Sequence, residues 1–146
     1  MRLFALVIVS CALTSICFSQ PKKDDVVGFW YTQDKEAKMQ TYKCGDRYCG
    51  KIIWLKDPLE EDGSIKLDKE NPDPKIRNRK IVGLKIMNGF EYDDNEWENG
   101  KIYDPKSGST YSCTLELSDD KKKLKVRGYI GISLFGRTEI WTRISK

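Results

Sequence analysis

The chain has 146 residues, and 26 Lys plus Arg against 22 Asp plus Glu leave a formal charge of +4 at neutral pH. That excess is small and dispersed, which argues against a nucleic-acid-binding arm. No histidine is present, which removes Ser-His-Asp and Cys-His catalysis, His-ligated zinc and the usual near-neutral proton shuttle.

Residues 1–19 read as a secretory signal peptide: Arg2 gives the positive start, 3–13 the apolar middle, and Cys17-Phe18-Ser19 a small-x-small cleavage site before Gln20. The apolar run is broken by Ser10, Thr14 and Ser15 and falls short of the ~20 residues of a membrane span. Ile8-Val9-Ser10-Cys11 loosely resembles a lipobox, but lipidation at Cys11 would leave a greasy mature terminus at 12–18, so soluble export is preferred. The mature chain, 20–146, suits one domain, periplasmic or secreted. It holds a single alanine, Ala37, and few 3.6-residue patterns, so helix is locally disfavoured.

Strands are expected at 26–32, 38–43 and 50–55, with Cys44-Gly45-Asp46-Arg47-Tyr48-Cys49 as the turn between the last two. The long segment 56–80 is irregular; Asp73 reads as an N-cap with Pro74 at the first helical position, predicting one helical turn over 74–78. Its Asp68, Glu70, Asn71 and Asp73 lack the glycine and spacing of a calcium loop and read as a solvated acidic stretch. Further strands are expected at 81–87 and 97–103, followed by a Pro105 and Gly108 hairpin turn. Over 110–117, Tyr111, Cys113, Leu115 and Leu117 share one face. Leu124, Val126, Gly128 and Ile130 share a face in the next run. A last strand is expected at 138–144. Seven to nine short strands of this kind argue for a barrel or a sandwich.

Three cysteines follow the leader: Cys44, Cys49 and Cys113. A four-residue hairpin loop would set Cys44 opposite Cys49 at a Cα separation of about 4.5 to 5.5 Å, which a disulfide accepts and an exported protein keeps oxidised. Four intervening residues exclude a C-x-x-C redox motif. Cys113 reads as a buried free thiol beside Tyr111 and Leu115.

Gly28-Phe29-Trp30 fits the G-x-W that opens lipocalin-like (calycin) barrels, and Trp141-Thr142-Arg143 resembles their last strand. The resemblance implies barrel closure by Gly28, Trp30 and Arg143, with Arg143 capping the Trp30 ring at ~0.5 to 2 kcal/mol plus hydrogen bonds. A longer match runs through Cys49-Gly50-Lys51-Ile52, Asn71-Pro72-Asp73-Pro74, Arg77-Asn78-Arg79, Gly100-Lys101-Ile102-Tyr103-Asp104-Pro105 and Arg127-Gly128-Tyr129-Ile130-Gly131. On these residues the chain resembles the exported bacterial domain-of-unknown-function family numbered twenty-one forty-seven. That implies an all-β fold, a small antiparallel up-and-down lipocalin-like barrel with the irregular loop 56–80, and brings no catalytic residues with it.

Such a barrel either holds one small ligand or is filled by side chains. Tyr111, Leu115, Leu124, Val126 and Ile130 are candidate lining. Tyr103, Tyr111, Arg127, Tyr129 and Arg137 are candidate ligand-binding residues, the arginines suited to an acidic head group. The run from Gly131 to Gly136, with Ile132, Leu134 and Phe135, would make a partner or membrane contact if exposed. Asp104 beside Tyr103 is the best polar constellation for an enzyme, yet turn chemistry before Pro105 explains it. The expectation is a non-catalytic, monomeric exported barrel without cofactor, metal, nucleic-acid partner or transmembrane segment, taking a small amphiphilic or lipid-like ligand. The alternative is an envelope structural or interaction module with a packed interior.

Overall fold

In a computed structural model, residues 21–132 and 134–145 are described; the expected leader, its cleavage site and Cys11 lie outside them. Eight strands follow one another: β1 (Gly28–Tyr31), β2 (Ala37–Cys44), β3 (Arg47–Leu55), β4 (Lys85–Asp93), β5 (Glu96–Asp104), β6 (Ser109–Leu117), β7 (Lys123–Tyr129) and β8 (Gly136–Arg143). Each pairs antiparallel with the next, and β8 returns to β1, closing an up-and-down barrel.

Register explains why the barrel closes around these side chains. Cα partners Trp30↔Met39, Met39↔Ile52, Trp97↔Leu115, Leu115↔Val126 and Leu124↔Trp141 lie on one face, and all are buried. Each large apolar side chain so enclosed contributes about 1.5 to 3 kcal/mol. Two glycines complete the packing. A Cβ on Gly100 would overlap the Phe90 ring, and one on Gly50 would lie 2.7 Å from Met87 Sδ. The barrel centre is filled.

The expected strand at 81–87 is displaced to Lys85–Asp93. Gly83 adopts φ 95° and turns the chain, donating to Ile52 O at 2.7 Å while Ile52 N donates to Leu84 O at 3.0 Å. Ile81 and Leu84 are therefore buried as turn residues. β4 instead runs on through Asn88-Gly89 to a turn at Asp94 (φ 40°) and Asn95 (φ 72°), the left-handed pair that a two-residue hairpin requires.

The lower end is covered by a 3-10 helix, Lys23–Val26. Val26 is buried, Trp97 Nε1 donates to Lys23 O at 3.1 Å, and the Tyr48 hydroxyl donates to Asp24 Oδ1 at 2.6 Å. At the upper end lie the long loop and the β1–β2, β5–β6 and β7–β8 connections. The loop's helical turn is a 3-10 turn, Pro74–Ile76, shorter than expected, with Asp73 accepting from Lys75 N. No helix among the described residues is long and apolar enough to cross a membrane.

The disulfide Cys44–Cys49 forms, with Cα atoms 5.9 Å apart, but not across the expected four-residue loop. Cys44 pairs with Arg47 and Cys49 with Tyr42, so the turn is Gly45-Asp46 and the bridge runs diagonally. Replacing both cysteines with serine is expected to lower unfolding free energy by about 2 kcal/mol through the lost loop constraint. Alkylation of the unreduced native protein should leave Cys113 unlabelled. It is fully buried, and burial pushes its thiol up to about 12.

Candidate functional site at the barrel rim

Strand alternation separates the five candidate ligand residues. Ile102 pairs with Tyr111 and Gly128 with Arg137, in the rows that continue the inward face. Tyr103 pairs with Thr110, Tyr129 with Ser112 and Arg127 with Thr114, all in outward rows. Tyr111 is half-buried near the upper rim. The Arg137 side chain is 84% exposed and meets Glu139 at 3.2 Å, whose other oxygen accepts from Trp141 Nε1 at 3.1 Å. The five do not converge on one pocket.

The rim's most conspicuous feature is the β7–β8 hairpin. β7 ends at Tyr129, and Gly131 (φ 72°) turns the chain, so Ile130 does not continue the inward row expected of it. Ile130, Ile132, Leu134 and Phe135 are 73%, 62%, 76% and 71% exposed. The hairpin base is tight: a Cβ on Gly136 would lie 2.5 Å from Gly128 O. Arg127 braces it from outside, its Nη1 donating to Thr138 Oγ1 at 2.8 Å and its Nη2 to Leu134 O at 3.4 Å.

Tyr103 belongs to a different cluster, in the long loop. Its hydroxyl donates to Asp68 Oδ1 at 2.5 Å. Asn71 Nδ2 and Arg79 Nη2 each donate to Asp68 Oδ2 at 2.8 Å. Arg77 Nε donates to Asn71 O at 2.6 Å. Asp68 is fully buried, which corrects the expectation of a solvated stretch there. Burial pushes its carboxyl up, but the hydrogen bonds from Tyr103, Arg79 and Asn71 outweigh that and hold it below its ordinary value. Burial and the adjacent Asp68 carboxylate push the Tyr103 phenol up to about 12. The only hint of this cluster in the sequence is the arginine pair that follows the Asn-Pro-Asp-Pro run. Among the described residues no group of three or more Cys, Asp or Glu could hold a metal ion.

At least two clefts lie on the surface of the described residues. One, of about 240 Å³, sits at the lower end between Lys23, Arg47, Tyr48 and Glu91. The other, of about 170 Å³, lies over the outward side chains Glu96, Thr114, Glu116, Lys125 and Arg127. Neither is lined by Trp30, Met39, Phe90, Leu115 or Trp141. Where the chain closes, the Arg143 guanidinium lies 4.1 Å from the Trp30 ring centroid. A Cβ on Gly28 would approach Arg143 Nη1 to 2.5 Å, so glycine there makes room for it.

A solved structure titled "Protein HP1028 from the human pathogen Helicobacter pylori belongs to the lipocalin family" superposes on this barrel with a TM-score of 0.70. The two chains are 24% identical over 82% of this chain and 83% of that one, a likeness of fold. No curated protein matches the chain. The sequence profile of a family described as uncharacterised proteins conserved in bacteria, DUF2147, matches residues 28–143. That match runs from the glycine under Arg143 to Arg143 itself, and the chain belongs to this family.

Proposed function

We propose that this protein is an exported, non-catalytic barrel acting as a protein-interaction module of the cell envelope, with the β7–β8 hairpin as its contact surface. The observation that carries the reading is the grouping of Ile130, Ile132, Leu134 and Phe135 at one exposed hairpin, on a barrel whose centre is packed. Burying one such side chain against a partner is worth about 1.5 to 3 kcal/mol, and contiguous exposed apolar groups mark contact sites. The non-catalytic reading is supported by the uses its polar groups already have. Asp104 accepts from Lys106 N at 3.0 Å and Ser107 Oγ at 2.8 Å within its own turn, and Asp68 is occupied by three donors. Export is supported by the Cys44–Cys49 bridge and the leader-like start of the sequence.

A second reading, a small amphiphile held at the rim, is favoured by the lipocalin-family likeness, by the half-buried Leu55, Ile102 and Tyr111 and by the exposed charge of Arg137 at the upper end of β8. The two are separated by titrating the mature protein with a fluorescent fatty acid, beside native mass spectrometry after gentle purification. The module reading expects no saturable uptake, and an envelope protein retained by wild type but lost from the double variant Leu134→Ser, Phe135→Ser. Uptake with a 1:1 end point, weakened by about 1.5 to 3 kcal/mol in Arg137→Ala, would move the function to the second reading.

A further inference from the structure

Above its last contact with β1, strand β8 has a bare edge. β1 meets β8 at Trp30↔Arg143 and Tyr31↔Thr142, whereas β8 continues to Gly136 and pairs with β7 over that length. The Ile140 amide points to the β1 side, where Gln33 Oε1 accepts it at 2.9 Å. By the two-residue alternation of an antiparallel strand, Thr138 and Gly136 turn their N–H and C=O groups to the same side. No strand among the described residues receives them there. Such an edge is a template for another strand.

The edge is complementary to itself. Arg137 and Glu139 flank Thr138 and project from the same face. In an antiparallel pair of two β8 edges centred on Thr138, the two Thr138 residues exchange both backbone hydrogen bonds, and each Arg137 lies opposite the other chain's Glu139. Centring the pair on residue 137 or 139 would instead set two arginines or two glutamates opposite each other, which is destabilising. Gly136, without a side chain, would face the other chain's Ile140, which is 38% exposed. The exposed Leu134 and Phe135 lead directly into this strand.

We infer that the occupant of this edge is a second copy of the chain, giving a twofold dimer through β8–β8 pairing. This rests on the interaction-module reading, names its partner, and departs from the monomer the sequence led us to expect. Each guanidinium gains a second carboxylate, so four alternating charges close a ring across the axis. The Ile140–Gln33 bond ends the ladder.

Sedimentation equilibrium of the mature protein over a concentration series tests it. Wild type should show a monomer–dimer equilibrium, and Arg137→Glu and Glu139→Arg should each weaken it by about tenfold or more, since like charges then face each other. An equimolar mixture of the two variants should restore dimers. One variant then carries two acidic side chains at positions 137 and 139, the other carries two basic ones, and opposite charges again meet across the axis. The charge pair within one chain cannot be rescued in this way. Thr138→Cys, on the axis, should oxidise to a covalent dimer, since facing Cα atoms at about 5.5 Å suit a disulfide. A wild type that stays monomeric, a mixture that stays monomeric, or a Thr138→Cys protein that does not cross-link would overturn the dimer. Loss of envelope-protein retention in the Leu134→Ser, Phe135→Ser variant of a monomeric chain would leave the module reading standing and remove the second copy as its partner.

Discussion

Arg143→Leu is expected to lower the unfolding free energy by about 3 to 4 kcal/mol, read as a lower urea midpoint with an unchanged slope. The guanidinium joins three segments at the closing seam of the barrel. Its Nε donates to Lys121 O at 2.6 Å, its Nη1 to Val27 O at 3.2 Å and its Nη2 to Asp25 O at 2.5 Å, while its face covers the buried Trp30 ring. Leucine keeps some of the apolar cover but leaves three carbonyls without their donor. It also loses the cation over the ring. The seam has few substitutes, because β1 and β8 share so short a ladder. Trp30 is held from its other edge, Nε1 donating to Thr41 Oγ1 at 2.9 Å, so the ring should stay in place while the cap fails. Arg143→Lys separates charge from geometry. A lysine restores the positive charge but cannot reach three carbonyls from one plane, and it should recover less than half of the loss. Full recovery by lysine would mean that charge alone closes the barrel.

How much of this was legible in the sequence depended on whether a residue's partner was near in the chain or of a familiar type. The alternation in β6 and β7 was readable because one face of each meets the core and the other water, and Cys113, Leu115, Leu117, Leu124 and Val126 are indeed buried. The same alternation misplaced Ile130, since nothing in the period reveals that Gly131 turns the chain one residue later. β4 was missed in its second half because Asn88-Gly89 has turn composition. Only a long pairing with β5, from Met87↔Ile102 to Asp93↔Glu96, carries the strand through it. The cysteine pair was readable but its register was not, as Gly45-Asp46 lies inside both a two-residue and a four-residue loop. At the rim, the glycine-flanked apolar run was visible, but its exposure was not. The cluster around Asp68 was hidden but for the hint of Arg77 and Arg79, because Tyr103 reaches it from 35 residues away and acidic residues in a charged loop look solvated.

That hidden cluster gives the second large effect. Asp68→Ala is expected to cost about 3 kcal/mol, because the buried carboxylate is the shared acceptor of three donors, although the Arg79 side chain is itself 42% exposed and can turn to water. Here the Tyr103 hydroxyl, the Asn71 amide and the Arg79 guanidinium all lose their acceptor. Asp68→Asn keeps the shape and one acceptor oxygen, so its cost should be smaller, about 2 kcal/mol. The pH dependence identifies the ionised carboxylate as the cause. The folded-state pKa of Asp68 lies below its ordinary value of 3.8, so the folded state favours the charged form. Its contribution is present above that ordinary value and is lost as pH falls through the lower, folded one. The difference in unfolding free energy between wild type and Asp68→Asn should therefore hold steady from neutrality to about pH 5 and shrink as pH falls below the ordinary value of 3.8. Other carboxylates titrate in both proteins, and the subtraction removes them. A difference that stays constant over that range would mean Asp68 acts through packing, and the loop 56–84 would then owe its anchorage to Ile81 and Leu84 instead.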